Sequence, residues 1–140
     1  MSAAPPRPLL RDFRHPALWL GIWLLLVGAV AATSLMSAGD LPPPPFDGVD
    51  KVEHFLAYLV LSAWAVMLFA QRRAQAVAAA ALIGLGVGLE FAQGAFTATR
   101  QADSADALAN ALGVLAGLML APTPLARALQ WLDGRGRTRD

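Results

Sequence analysis

The chain has 140 residues, 56% hydrophobic and 15% charged, with a net charge of +1 and a mean hydropathy of +0.50. An ordinary soluble domain is roughly 25% charged, so this composition points to lipid, at a length that fits one domain. With no cysteine there are no disulfides, thiolate nucleophiles or thiolate metal sites, and the lack of a basic patch interleaved with aromatics argues against nucleic acid as a partner.

Residues 1–15 carry Arg7, Arg11 and Arg14 and read as a basic tail. Pro16 suits the first position of a helix. The apolar run 17–36 that follows is long enough, at about 1.5 Å per residue, to cross a hydrocarbon core of roughly 30 Å. A cleaved signal peptide is the alternative reading, with Ala29-Val30-Ala31 as the small-x-small site, but the apolar run continues past it. Residues 37–50 form an acidic loop with four consecutive prolines, which favour an extended polyproline stretch. Helix is expected to resume with Asp50 as N-cap and Glu53 completing a capping-box pattern, giving a second span over 54–70.

The third span is expected over 74–96 and the fourth over 104–121. Gly84 and Gly88 form a small-xxx-small pair, as do Gly113 and Gly117; such pairs let helix backbones approach closely. Beyond the fourth span, Thr123 as cap and Pro124 as first turn open a short amphipathic helix. Leu125, Leu129 and Leu132 are expected on one side, with Trp131 near headgroup level. The last residues read as a disordered basic tail.

The expected fold is therefore all-α: a polytopic membrane protein of four transmembrane helices. Arg7, Arg11, Arg14, Arg72, Arg73, Arg127, Arg135, Arg137 and Arg139 fall on one side of it; only Lys51 and Arg100 fall on the other. The positive-inside rule then puts both termini in the cytoplasm (1–16 and 122–140) and the loops near 37–53 and 97–103 outside.

That orientation gathers the polar side chains of three spans. His54 and Tyr58 open the second, Glu90 and Gln93 end the third, and Asp106 and Asn110 begin the fourth, while Asp50, Lys51, Arg100 and Asp103 stand at the mouth. Steps of three and four put each set on one helix face. The cytoplasmic halves carry almost nothing ionisable, which suggests a pocket opening outward. Polar groups at membrane depth are costly and usually functional. Glu90, between Leu89 and Phe91, needs His54, Arg100 or a proton. Plainer roles exist for the others: interfacial anchoring for His54 and Tyr58, helix capping for Asp103 and Asp106, interhelical hydrogen bonding for Asn110.

The stretch DKVEHFLAYLVL at 50–61, the E-x-x-Q at 90–93 and the R-x-x-D-x-x-D-x-x-x-N-x-x-G-x-x-x-G from Arg100 to Gly117 resemble the VanZ-like family. Its members are small bacterial membrane proteins named after an accessory protein of teicoplanin resistance. The likeness covers about residues 50 to 117. It implies a multi-pass protein of the bacterial cytoplasmic membrane, linked to the cell envelope and glycopeptide susceptibility, without implying a particular reaction. It carries over Asp50, Lys51, His54, Tyr58, Glu90, Gln93, Arg100, Asp103, Asp106 and Asn110. The turn 94–99 departs from the pattern in lacking proline-glycine character.

Three functions compete. One is binding or modification of an outer-leaflet amphiphile, such as an anionic lipid-linked cell-wall intermediate, with Arg100 and Lys51 holding the head group and the carboxylates and His54 supplying hydrogen bonds or acid/base chemistry. A second is a structural or assembly role, the polar network holding helices together. A third is a metal-dependent enzyme using His54, Glu90, Asp103 and Asp106. No HxxxH or HExxH pair supports the third, so neither metal nor cofactor is assigned. A proton-coupled transporter fits poorly, since the inner half lacks relay residues.

Overall fold

In the computed structural model, residues 8–36, 48–96 and 102–134 are described. They form α1 (Pro16–Ser34), α2 (Val49–Leu68), α3 (Arg72–Phe96) and α4 (Ser104–Leu118), then a 3-10 turn (Pro124–Arg127) and a short α5 (Ala128–Leu132). The architecture is all-helical. α1, α2 and α3 are long and apolar enough to cross a membrane. α4, with 15 residues, reaches about 22 Å at 1.5 Å per residue, shorter than the stretch 104–121 expected from sequence; its C-terminal residues continue as turns.

α1 starts at Pro16, as its φ preference dictates. It is hydrophobic along its length yet has no buried residue. Leu18, Leu24 and Leu25 stand more than half exposed, a surface suited to lipid and costly in water. α4 is sorted the same way. Leu108, Leu112, Leu115 and Met119 form an exposed stripe, while Asp106, Asn110, Gly113 and Gly117 are buried. Polar and small residues inside, leucines outside, is the reverse of a water-soluble helix.

The tightest pairing is α2 against α4. A Cβ at Gly113 would collide with the backbone oxygen of Phe55 and lie 3.0 Å from the backbone nitrogen of Leu59. One at Gly117 would lie 2.6 Å from Ser62 Cβ and 2.7 Å from Leu59 O. Glycine is what lets these backbones meet. Ser62 adds a polar tie by donating to Val114 O at 2.8 Å. The Gly84–Gly88 pair does not act this way: an added Cβ at either meets nothing within 4 Å. On α3 the close approach is at Gly86, where a Cβ would sit 3.0 Å from Asn110 Nδ2 and 3.3 Å from Tyr58.

Asp50 is not the cap of α2. The cap is Gly48, at a φ of 83° that favours glycine, and Asp50 lies in the first turn. The N-terminal segment also does more than trail. Arg11 N–H donates to Leu68 O and Ala70 N–H to Leu9 O, both at 2.9 Å, and the Arg11 guanidinium donates to Val66 O. Phe13 is buried with Leu68 and Leu129. Asp133 accepts from the Arg14 backbone and from Trp19 Nε1 at 2.9 Å, so the segments around residues 9–14 and 129–133 pack beneath α2. Around a cleft of about 570 Å³ at this end stand Arg11, Arg72 and Arg127; burial first, then the charges of Arg127 and Arg72, hold the Arg11 guanidinium below its ordinary pKa.

The C-terminal leucines do not share one side. Leu129 is buried, whereas Leu125 and Leu132 are 56% and 75% exposed. The 3-10 turn over Pro124–Arg127 advances about 3.0 residues per turn and so breaks the α-helical register assumed for the three leucines. The proline-rich loop, Arg7 and the last six residues lie outside the described residues.

Candidate functional site

At the end of α2 opposite the arginine cleft, three helices bring polar groups together because each carries them on its inward face. On α2, Lys51, His54 and Tyr58 follow at steps of three and four. On α3, Gly86, Glu90 and Gln93 do the same, and all three are buried. α4 begins with Asp103 as a true N-cap, its carboxylate accepting from Ala105 N–H at 2.8 Å, which turns Asp106 and Asn110 toward α2.

Lys51 is the hub of the mouth. Its Nζ donates to Asp50 Oδ2 at 3.2 Å, Asp103 Oδ2 at 3.0 Å and Asp106 Oδ1 at 3.2 Å. The Ala105 N–H and then Lys51 hold the Asp103 carboxyl below the usual carboxylate range. Committed to three carboxylates, Lys51 is not free to grip an anion in the way the sequence suggests.

Beneath it lies His54, 14% exposed in its side chain. Its Nδ1 hydrogen-bonds with Asn110 Oδ1 at 3.0 Å; in the neutral tautomer that donates there, Nε2 keeps a lone pair. Nε2 stands 3.9 Å from Asp106 Oδ2, and Nδ1 stands 3.9 Å from Glu90 Oε1. Glu90 is buried beside the exposed Phe91. The backbone N–H of Asp103 donates to its Oε2 at 3.3 Å, while Oε1 has no hydrogen-bond partner. One donor atom each from His54, Glu90 and Asp106 lies within 4.8 Å of the others.

Tyr58 sits one turn deeper, 1% exposed, its hydroxyl buried and without a hydrogen-bond partner. His54 and Tyr58 also line a cleft of about 140 Å³ between α1 and α2, with Val30, Thr33, Ser34, Glu53 and Ala57. Gln93 serves a different contact: its Nε2 donates to Ser34 O at the end of α1, at 2.7 Å. Of the residues singled out from sequence, Asp50, Lys51, His54, Glu90, Asp103, Asp106 and Asn110 meet in one network, with Tyr58 below and Gln93 beside it. Arg100 lies outside the described residues.

Gly86 and Ser34 are not among the site residues that the sequence pattern picks out. Gly86 shares a face with Glu90 and Gln93 at helical spacing, a signal present in the sequence; Ser34 contributes only a backbone oxygen, which no side-chain pattern reveals. Three carboxylates (Asp50, Asp103, Asp106) converge here on a single lysine among the described residues, with Glu90 beside them. No family model, curated protein or solved structure matches the chain.

Proposed function

We propose that this is a four-span protein of the bacterial cytoplasmic membrane, with both termini inside, whose outward-facing polar site binds or modifies the head group of an outer-leaflet amphiphile of the cell envelope. α4 would complete its crossing through the turn residues that follow it. The resemblance to VanZ-like proteins supports this reading and suggests a tie to glycopeptide susceptibility. The observation that carries it is the cleft between α1 and α2: Val30 and Ala57 offer apolar walls for a chain, and His54 and Tyr58 line the same cleft; the Tyr58 hydroxyl is a buried donor with no hydrogen-bond partner among the described residues. A buried polar group left unpaired costs about 1–3 kcal/mol, and a bound head group would relieve that.

The second reading is structural. Lys51 links α2 to the start of α4 through Asp103 and Asp106, which is what a network holding helices together would do.

Tyr58→Phe separates the two. The hydroxyl has no hydrogen-bond partner among the described residues, so its loss should leave melting unchanged or slightly raised. In lipid nanodiscs titrated with a polyprenyl phosphate, with and without added divalent cation, the variant should bind roughly 10-fold more weakly, the worth of one hydrogen bond of about 1.4 kcal/mol. Equal binding by the variant and the native chain would return the network to the structural reading.

A further inference from the structure

We infer that His54, Glu90 and Asp106 form a binding site for a divalent transition-metal ion of the zinc class, one ligand from each of three helices. The site is the one read above as a head-group site; only the metal's role rests on that reading, while the case for the ion stands on geometry.

Each ligand is tethered at one atom and open at another. His54 is held through Nδ1 on Asn110 Oδ1; its Nε2 lies 3.9 Å from Asp106 Oδ2 and its Nδ1 3.9 Å from Glu90 Oε1, and one donor atom from each of the three residues lies within 4.8 Å of the others. Glu90 is fixed through Oε2 by the Asp103 N–H, and Oε1 is buried without a partner. Asp106 is fixed through Oδ1 by Lys51, leaving Oδ2 facing the imidazole. This is how metal ligands are held: a second group orients the imidazole and fixes its tautomer, and the carboxylates are themselves hydrogen-bonded.

The charge balance asks for a cation. Lys51 is shared by Asp50, Asp103 and Asp106 and does not reach the free oxygen of Glu90, which is 4% exposed. Among the described residues an anionic head group would meet net negative charge here, and a doubly charged ion would offset it. One imidazole and two carboxylates suit zinc or manganese, whereas magnesium and calcium prefer all-oxygen shells. Three protein ligands leave a coordination position open, as in zinc sites that take an exogenous ligand; a phosphate oxygen of the amphiphile is the natural occupant. The absence of an HxxxH pair is no objection, because the ligands come from different helices.

The test uses the full-length chain in detergent micelles, stripped with chelator and titrated calorimetrically with zinc chloride and with manganese chloride, no amphiphile present. The native chain should take up a single ion saturably. Glu90→Gln and Asp106→Asn, both isosteric, should each weaken uptake by roughly 100-fold or more, beyond the loss on removing an orienting partner. Uptake undiminished in either carboxylate variant, or none by the native chain, would overturn the site. Zinc bound without polyprenyl phosphate affinity would sink the head-group reading alone; phosphate affinity without zinc would sink this one.

Discussion

Gly113→Ala should be among the most destabilising single substitutions in the chain, although it adds one methyl group. That methyl would fall against the Phe55 carbonyl and the Leu59 backbone nitrogen, neither of which can swing aside as a flexible side chain can. α2 and α4 must part, and the Ser62 bond to Val114 O parts with them. Overpacking typically costs about 1–3 kcal/mol, and a clash with backbone on the partner helix belongs at the upper end. The polar network should loosen too, because Lys51 and His54 ride on α2 and Asp106 and Asn110 on α4. Gly84→Ala is the control: its Cβ meets nothing, and alanine is favoured over glycine in a helix by about 1 kcal/mol. Melting in detergent should fall sharply for the first and hold or rise for the second. Equal melting of both variants would refute the close α2–α4 pairing.

Phe13→Ala should be comparably damaging, because residues 9–13 belong to the folded body. Phe13 is 5% exposed, packs with Leu68 and Leu129 and lies 6.4 Å, ring to ring, from Trp19. Truncating a buried phenylalanine costs about 3–5 kcal/mol. The backbone bonds from Arg11 to Leu68 and from Ala70 to Leu9 would remain but lose the side chain that shields them. Melting should drop, and trypsin should cut after Arg11 and Arg14 much faster than in the native chain. Native-like melting and cleavage would mean the segment is undocked.

The long helices and the inward sorting of α4 are legible because each depends on local periodicity. Glu90, Asp106 and Asn110 announce themselves as polar residues in apolar runs, and helical spacing assigns them to faces. What the sequence hides is set by partners far along the chain. Phe13 meets residues more than fifty positions away, so residues 1–15 read only as a basic tail. Gly86 and the Gly84–Gly88 pair differ in which face meets a neighbour, and spacing cannot rank them. Asp50 resembles a cap, but the φ of Gly48 starts α2 two residues earlier. Leu125 and Leu132 look like partners of Leu129 until the 3-10 turn shifts their angle. The His54–Glu90–Asp106 cluster spans three helices, so it leaves no local motif.

Side-specific labelling tests most directly the proposed orientation, in which the polar end of these helices faces the outside of the membrane. The chain has no cysteine, so single cysteines report without background. Glu53→Cys probes the exposed rim of the cleft, and Thr123→Cys the exposed turn beside the arginine cleft. In intact spheroplasts, a membrane-impermeant maleimide should modify position 53 at once and position 123 only after permeabilisation. Labelling at 123 with protection at 53 would turn the site toward the cytoplasm and contradict the account.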